Sequence, residues 1–223
     1  MAEPALRVSA DAGTAVSAAA AALAAAIRQA VEARGRCVLA LSGGTSAPAL
    51  CRALAAHAVD WAKVHMVQVD ERIVPLSHPE RSLARLKPLL PPLNIHPMPV
   101  ETRDPEAGAR DYATLLQELA GRPAVLDVVH LGLGADGHTG SLVPGEPVLE
   151  VMDRDVAITG LYKGARRMTL TYPCLDRAGE IVWLATGAGK RAAIRLFCEA
   201  DLSLPASRVS AANMYLFTDQ AAI

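Results

Sequence analysis

The stretch Val125-Leu126-Asp127-Val128-Val129-His130-Leu131 decides the fold class of this chain, because five of its seven residues are valine or leucine. Neighbouring side chains of a strand point to opposite faces, so both faces of this strand need an apolar cover. Such strands are typical of parallel sheets with helices packed on both sides. The sequence therefore predicts a strand buried on both faces over residues 126–131.

Short apolar runs alternate with longer helical stretches along the rest of the chain. Further strands are predicted at residues 37–41, 64–69, 155–158, 168–171, 181–185 and 214–217. Helices are predicted at residues 14–33, 47–57, 105–120 and 190–198. This alternation favours an α/β fold with a layered, mostly parallel sheet and helices on both faces. Residues 87–99 hold five prolines and are predicted to be a connecting loop within a single domain of residues 1–223.

Composition and charge restrict the partners and the compartment. Hydrophobic residues make up 52% of the 223 residues, which is enough for one sizeable core. A net charge of −1 argues against nucleic acid or an anionic membrane as a partner. The alanine-rich residues 15–27 lack a preceding basic segment and are too short to span a bilayer, so they predict an amphipathic first helix. The four cysteines form no C-x-x-C pair, and we expect reduced thiols and a cytoplasmic location.

Three turns that follow predicted strands carry residues suited to ligand binding, since α/β sheets bind ligands beyond the carboxyl ends of their strands. The first turn contains Ser42, Gly43, Gly44 and Thr45. Its glycines allow close approach of the backbone, its hydroxyls add donors, and the next helix directs its N-terminal N–H groups to the same place. This arrangement suits a phosphate, although an ordinary capped turn explains the residues equally well.

The second turn contains Asp70, Glu71 and Arg72, directly after the strand at residues 64–69. A solvated loop is the simplest explanation of three consecutive charges, but the position beside the first turn favours a functional one. Arg72 is suited to pair with a phosphate or a developing oxyanion. We expect Asp70 to hold either Arg72 or a substrate hydroxyl.

The third turn has the G-x-G-x-x-G spacing of a dinucleotide-binding fingerprint at Gly132, Gly134 and Gly137. That fingerprint requires a long helix directly after it, and Pro144 and Pro147 interrupt any such helix. We therefore exclude a nicotinamide-dependent dehydrogenase.

The same turn presents Asp136 and His138 at the ligand-binding edge of the sheet. So many glycines leave His138 accessible, whereas His130, inside the apolar strand, is expected to be structural. The pKa of a free histidine is about 6.5, which suits a general base near neutral pH. His138 is thus the candidate base, with Asp136 or a backbone carbonyl setting its tautomer.

The three turns, in this order, resemble the 6-phosphogluconolactonase family. Its L-S-G-G-[ST], D-E-R-x-V-P and L-G-x-G-x-D-G-H-T-x-S-L-x-P motifs correspond to residues 41–45, 70–75 and 131–144. Residues 165–171, 184–190 and 204–209 resemble later segments of the family. The likeness extends from about the first helix to the C-terminus.

The resemblance implies a fold shared with glucosamine-6-phosphate deaminase and hydrolysis of 6-phospho-D-glucono-1,5-lactone to 6-phosphogluconate in the oxidative pentose phosphate pathway. It implies His138 as the base that activates water. Arg72, Arg167 and Lys190, with the glycine turn, would receive the phosphate and the carbonyl-derived charge, and their individual roles stay open. The pair Arg81-Ser82 replaces the family's usual Ser-Asn, which puts substrate contacts from that loop in question.

Two alternatives remain. A glucosamine-6-phosphate deaminase would share the architecture, but that family has D-E-Y in the second turn and an Asn-Glu after the third, which this chain lacks. A non-catalytic sugar-phosphate sensor would keep the phosphate site without turnover.

The expected ligand is a small sugar phosphate, and we expect no metal and no cofactor, because the histidines and cysteines lack zinc-ligand spacing. Nor does the chain contain a G-x-S-x-G nucleophile elbow, so a covalent acyl-enzyme is not favoured. We expect a monomer or a small homo-oligomer.

Overall fold

The computed structural model describes residues 4–223. Its strands are β1 (Ala5–Ser9), β2 (Cys37–Leu41), β3 (Val64–Gln68), β4 (Asp70–Arg72), β5 (Asn94–His96), β6 (Val128–Gly132), β7 (Val156–Ile158), β8 (Arg167–Leu170), β9 (Glu180–Leu184) and β10 (Met214–Asp219). Its α-helices are α1 (Ala12–Arg34), α2 (Ala47–Ala55), α3 (Ser82–Leu86), α4 (Pro105–Ala120), α5 (Tyr172–Asp176) and α6 (Arg191–Cys198).

Seven strands form one parallel sheet in the order β1-β10-β9-β6-β2-β3-β5. The strand predicted to be buried on both faces, β6, lies between β9 and β2 and is buried over its first four residues. Burial of both faces explains the lack of polar alternation in its sequence.

Helices cover both faces of this sheet. Along β2, Val38 and Ala40 face a core shared with α4, α5 and α6, whereas Leu39 and Leu41 face a second core shared with α1 and α2. The two-residue period of a strand thus divides one run of sequence between two cores. The predicted α/β architecture with helices on both faces is confirmed.

A second sheet of three antiparallel strands, in the order β4-β8-β7, lies beside the first. The turn that the sequence predicts at Asp70–Arg72 is wrong: these residues are β4, with Asp70 opposite Thr169 and Arg72 opposite Arg167. Three consecutive charged residues carry no strand periodicity, and the hydrogen-bonding partner lies far along the chain. The strands predicted at residues 155–158 and 168–171 belong to this sheet as β7 and β8.

The description of residues 87–99 as a connecting loop also needs correction. This segment contains the edge strand β5, which pairs with β3 alone, His65 lying opposite Asn94. A three-residue strand between prolines is too short to show a period, so the prolines dominated the prediction. Strand β1 and helices α3 and α5 were also missed, because each has only five residues and shows no clear periodicity.

The long predicted helices and the remaining strands are confirmed within two residues at each boundary. Helix α1 is capped by Asp11, whose carboxylate accepts from the Thr14 N–H at 2.8 Å, and ends at Gly35 with φ +74°. Its length and mean hydropathy of 1.4 would also suit a membrane span, but Leu23 and Ile27 are fully buried in the second core. Burial of this kind is typical of a core helix.

Candidate active site

A cavity of about 560 Å³ opens at the carboxyl ends of the central strands. All the predicted site residues line it, namely Ser42, Gly43, Gly44, Thr45, Asp70, Arg72, Asp136, His138, Arg167 and Lys190. We call the turns after β2 and β6 (residues 42–46 and 132–140) the sheet-end turns, and strands β4, β8 and β7 with their connections the small sheet. The cavity lies between them.

His138 and Asp136 form a hydrogen-bonded pair within the second sheet-end turn. His138 Nδ1 contacts Asp136 Oδ1, and the His138 N–H donates to the same oxygen at 3.3 Å. Partial burial raises the pKa of Asp136, but the hydrogen bond and charge of His138 outweigh burial and hold the pKa below its usual value. Since a carboxylate only accepts, the contact assigns a proton to Nδ1, and a neutral imidazole then carries its lone pair on Nε2, which has no hydrogen-bond partner within residues 4–223.

The glycines of this turn allow that pairing. A Cβ atom built on Gly134 would overlap both His138 Nδ1 and Asp136 Oδ1. The Gly134 N–H also donates to the His138 carbonyl at 2.8 Å, which closes the turn. Gly134 therefore serves close packing against the histidine rather than approach to a dinucleotide.

Asp70 and Arg167 lie on the small sheet and face the cavity together. Ser141 Oγ donates to Asp70 Oδ2 at 2.6 Å. Burial raises the pKa of Asp70, against the opposing effects of the Ser141 hydrogen bond and the Arg167 charge. Burial also lowers the pKa of Arg167, and Asp70 counteracts it.

Arg72 is held differently from the expectation. Its Nη1 donates to the Glu80 carbonyl at 2.7 Å, and its Nε lies 3.5 Å from Glu80 Oε2. Asp70 was expected to hold either Arg72 or a substrate hydroxyl. The first of these two predictions is wrong, because Glu80 holds Arg72. A role for Asp70 toward a substrate hydroxyl stays a prediction.

Cationic side chains dominate the cavity. Besides Arg72 and Arg167, its lining includes Arg85, Lys163 and Lys190, whereas Asp70 and Asp136 are its carboxylates. Burial lowers the pKa of Lys190, while the charge of Asp136 opposes that shift. With more cations than carboxylates, the cavity suits an anionic ligand. Residues 4–223 contain no cluster of three His, Cys, Asp or Glu side chains that could hold a metal ion.

The chain has relatives among known proteins. Residues 10–218 match the family described as glucosamine-6-phosphate isomerases/6-phosphogluconolactonase. The chain belongs to this family. A 6-phosphogluconolactonase of Synechocystis sp. is 42% identical over 178 residues, which cover 75% of this chain and 74% of the relative. One of Mycobacterium tuberculosis is 38% identical over 201 residues, covering 82% of this chain and 81% of the relative.

Solved structures agree at the level of the fold. A 6-phosphogluconolactonase from Shewanella baltica has a TM-score of 0.86 at 23% identity, over 97% of this chain and 98% of that chain. A monomeric glucosamine-6-phosphate deaminase has a TM-score of 0.83 at 18% identity, over 98% of both chains. The predicted family resemblance and the fold shared with the deaminase are thus confirmed.

The departure from the family's Ser-Asn pair has a structural explanation. Arg81 is 3% exposed and turns away from the cavity, with its Nε 3.4 Å from Glu71 Oε2 and its Nη1 donating to the Val74 carbonyl at 3.0 Å. Ser82 lines the cavity and packs so closely on Gly43 that a Cβ atom there would overlap Ser82 Oγ. Only the second residue of the pair therefore faces the site.

Glu71 fixes this segment and was missed as a functional residue. Its side chain is fully buried and accepts from the backbone N–H groups of Arg72, Ser82 and Leu83, each at 2.9 Å, and from Gln68 Nε2 at 2.9 Å. No local signal distinguishes a buried anchor from a solvated acid within Asp-Glu-Arg. The cavity-lining residues Arg85, Tyr162 and Lys163 were missed too, because they lie between the family motifs.

Proposed function

We propose that this chain hydrolyses 6-phospho-D-glucono-1,5-lactone to 6-phosphogluconate, with His138 activating the attacking water. The observation that carries the proposal is the His138–Asp136 pair, which leaves Nε2 free at a cation-lined cavity. Relatives named 6-phosphogluconolactonase, one of them 42% identical over 178 residues, support the same substrate. The reaction belongs to the oxidative pentose phosphate pathway.

The reaction needs a base, a stabilised oxyanion and a proton for the leaving group. In this proposal His138 Nε2 takes a proton as the water oxygen bonds to C1 of the lactone. The bond between C1 and the ring oxygen then breaks, and the imidazolium returns its proton to that oxygen. Asp136 stabilises the imidazolium and keeps the ring in the tautomer that exposes Nε2.

The cations complete the site. In this proposal Arg72, Arg167 and Lys190, with the N–H groups and hydroxyls of residues 42–45, receive the charge of the phosphate and of the tetrahedral oxyanion. Their common position in the cavity lining supports this role. The Glu80 carbonyl accepts from Arg72 and orients it, and Asp70 lines the same cavity as Arg167. Arg167 therefore comes with a carboxylate able to accept from a sugar hydroxyl, which favours its placement near the sugar.

The decisive test compares wild-type protein with His138→Ala by NMR, on lactone generated in situ, with a protein-free control because the lactone hydrolyses spontaneously. We expect the variant to lose about 10²- to 10⁴-fold of the catalysed rate, the usual contribution of a general acid–base. His57→Ala is the matched control, since His57 lies outside the cavity. Full turnover by His138→Ala would refute the assignment of the base.

The same samples distinguish the alternatives. Release of ammonia from glucosamine 6-phosphate would identify a deaminase, and binding of 6-phosphogluconate without turnover of the lactone would identify a sensor. Hydrolysis at the protein-free rate by folded wild-type protein would refute the proposed function itself.

A further inference from the structure

The connection between β7 and β8 carries a tyrosine into the cavity. The Tyr162 N–H donates to the Ala165 carbonyl at 3.1 Å, and the Ala165 N–H donates back to the Tyr162 carbonyl at 3.4 Å. Between them, Lys163 and Gly164 have φ of +50° and +80°. Two positive φ values in succession are the mark of a tight two-residue hairpin turn. The Thr159 N–H, bonded to the Arg167 carbonyl at 2.8 Å, continues the pairing towards β8 and fixes the position of Tyr162.

Tyr162 contacts the pair proposed to activate water. Its hydroxyl donates to Asp136 Oδ2 at 3.2 Å, whereas His138 uses Oδ1 of the same carboxylate. Its ring also meets the His138 ring edge-on, with 6.0 Å between centroids and 61° between planes. Both carboxylate oxygens are thereby engaged. The Asp136 side chain is 45% exposed, so these hydrogen bonds are what restricts its orientation.

The face of the same ring contacts a cation of the site. Arg167 Cζ lies 4.9 Å from the Tyr162 ring centroid, within the range of a cation–π contact. Lys163 Nζ lies at the same distance, also 4.9 Å. One side chain therefore touches the carboxylate, the histidine and a cation, although none of the family motifs includes it.

We propose that Tyr162 is a positioning residue for the reaction: its hydroxyl orients Asp136, and through it His138, while its ring holds the Arg167 guanidinium. The inference rests on the proposed function. A carboxylate that is hydrogen-bonded at both oxygens keeps one orientation. Catalytic triads use a third residue in the same way, to hold the group that orients the histidine base. The guanidinium packed on the ring is already ordered before the substrate binds. Less conformational entropy of this side chain is therefore lost on binding.

Two substitutions separate the hydroxyl from the ring. Tyr162→Phe removes the bond to Asp136 and keeps the ring beneath Arg167, so kcat is expected to fall about tenfold, or about 1.4 kcal/mol, with KM within about twofold of wild type. Tyr162→Leu removes both contacts, and kcat/KM is expected to fall at least about threefold further. Thermal unfolding of Tyr162→Phe should match wild type, because its ring packing is retained.

Tyr215 provides the matched control. It lies on β10 outside the cavity, and Arg7 Cζ sits 5.7 Å above its ring. Tyr215→Phe and Tyr215→Leu make the same chemical changes in another tyrosine–arginine pair, and they should leave kcat and KM unchanged. A kcat for Tyr162→Phe within twofold of wild type would overturn the proposal.

A readout that does not depend on turnover separates this inference from the proposed function. In ¹⁵N NMR spectra, the ring-nitrogen shifts of His138 should change in Tyr162→Phe and stay constant in Tyr215→Phe. Failure of the wild-type protein to hydrolyse the lactone would refute the function while this shift still confirms the contact. Unchanged His138 shifts in Tyr162→Phe would refute the positioning role whether or not the enzyme is active.

Discussion

The sheet-end turns and the small sheet face each other across one cavity, but they are built in opposite ways. The turns are glycine-rich backbone at the ends of parallel strands, and they carry His138 and Asp136 within a few residues of each other. The small sheet brings Asp70, Arg72 and Arg167 together from strands that are distant in sequence. The turns thus depend on local close packing, whereas the small sheet depends on pairing between distant strands and on the buried carboxylate of Glu71.

The largest expected effect tests the anchor of the small sheet. Glu71→Ala removes the acceptor of four hydrogen bonds and leaves Arg81 buried without its carboxylate partner. Breaking a buried pair in this way costs about 3–5 kcal/mol, so urea unfolding should show a loss of that size in the free energy of unfolding.

Two variants calibrate that result. Glu71→Gln keeps the size of the side chain and one acceptor oxygen but not the charge. Its free energy of unfolding should therefore fall by less than that of Glu71→Ala. Glu199→Ala breaks an exposed ion pair between Arg195 in α6 and Glu199, directly after that helix. The free energy of unfolding should fall by less than about 0.5 kcal/mol. A loss below about 1 kcal/mol for Glu71→Ala would show that the small sheet does not depend on this anchor.

The next effect tests close packing in the sheet-end turns. Gly134→Ala places a methyl group where His138 Nδ1 and Asp136 Oδ1 now lie, so the pair must move. Displacement of a catalytic group by about 1 Å costs about 10²-fold, and we expect kcat/KM for lactone hydrolysis to fall by that amount. Gly189→Ala is the control, because a Cβ atom there meets nothing within 4 Å. Equal activity of the two variants would contradict the packing argument.

The smallest effect concerns a histidine beneath those turns. His130 in β6 is 1% exposed, and neither ring nitrogen has a partner within the described residues. Burial lowers the pKa of His130 to about 4, from 6.5. Between these values the unfolded chain binds a proton that the folded chain does not, so stability falls as the pH falls through this window. Between pH 7 and pH 5, this group lowers the free energy of unfolding by about 2 kcal/mol.

His130→Leu should remove that part of the pH dependence. Urea unfolding of both proteins at pH 7 and pH 5 gives the comparison, since carboxylates elsewhere contribute equally to each. If the two proteins lose the same free energy between these pH values, His130 is not the buried neutral group that the structure indicates.

The predictability of the two regions follows from how each is built. The sequence predicts the turns because an apolar strand followed by glycines and by residues with hydroxyl, carboxyl or imidazole groups is a local pattern. The predicted bounds of β2 and α4 are likewise those observed. The small sheet was not found as a unit. Asp70–Arg72 looks like a turn until Arg167–Leu170 pairs with it, and such pairing leaves no local trace.

By itself, the sequence determined the α/β class, the parallel core and the strand-end turns that carry His138 and Asp136, because apolar periodicity and strand-end chemistry act over a few neighbouring residues. The tertiary structure alone decided which partner each charge takes: Glu80 for Arg72, Glu71 for Arg81 and Ser141 for Asp70. It also brought Tyr162 to Asp136, 26 positions earlier in the chain. Contacts of this kind arise from packing and desolvation in the folded chain, and no periodicity or motif in the sequence specifies the partners, even where they lie as close as Arg72 and Glu80.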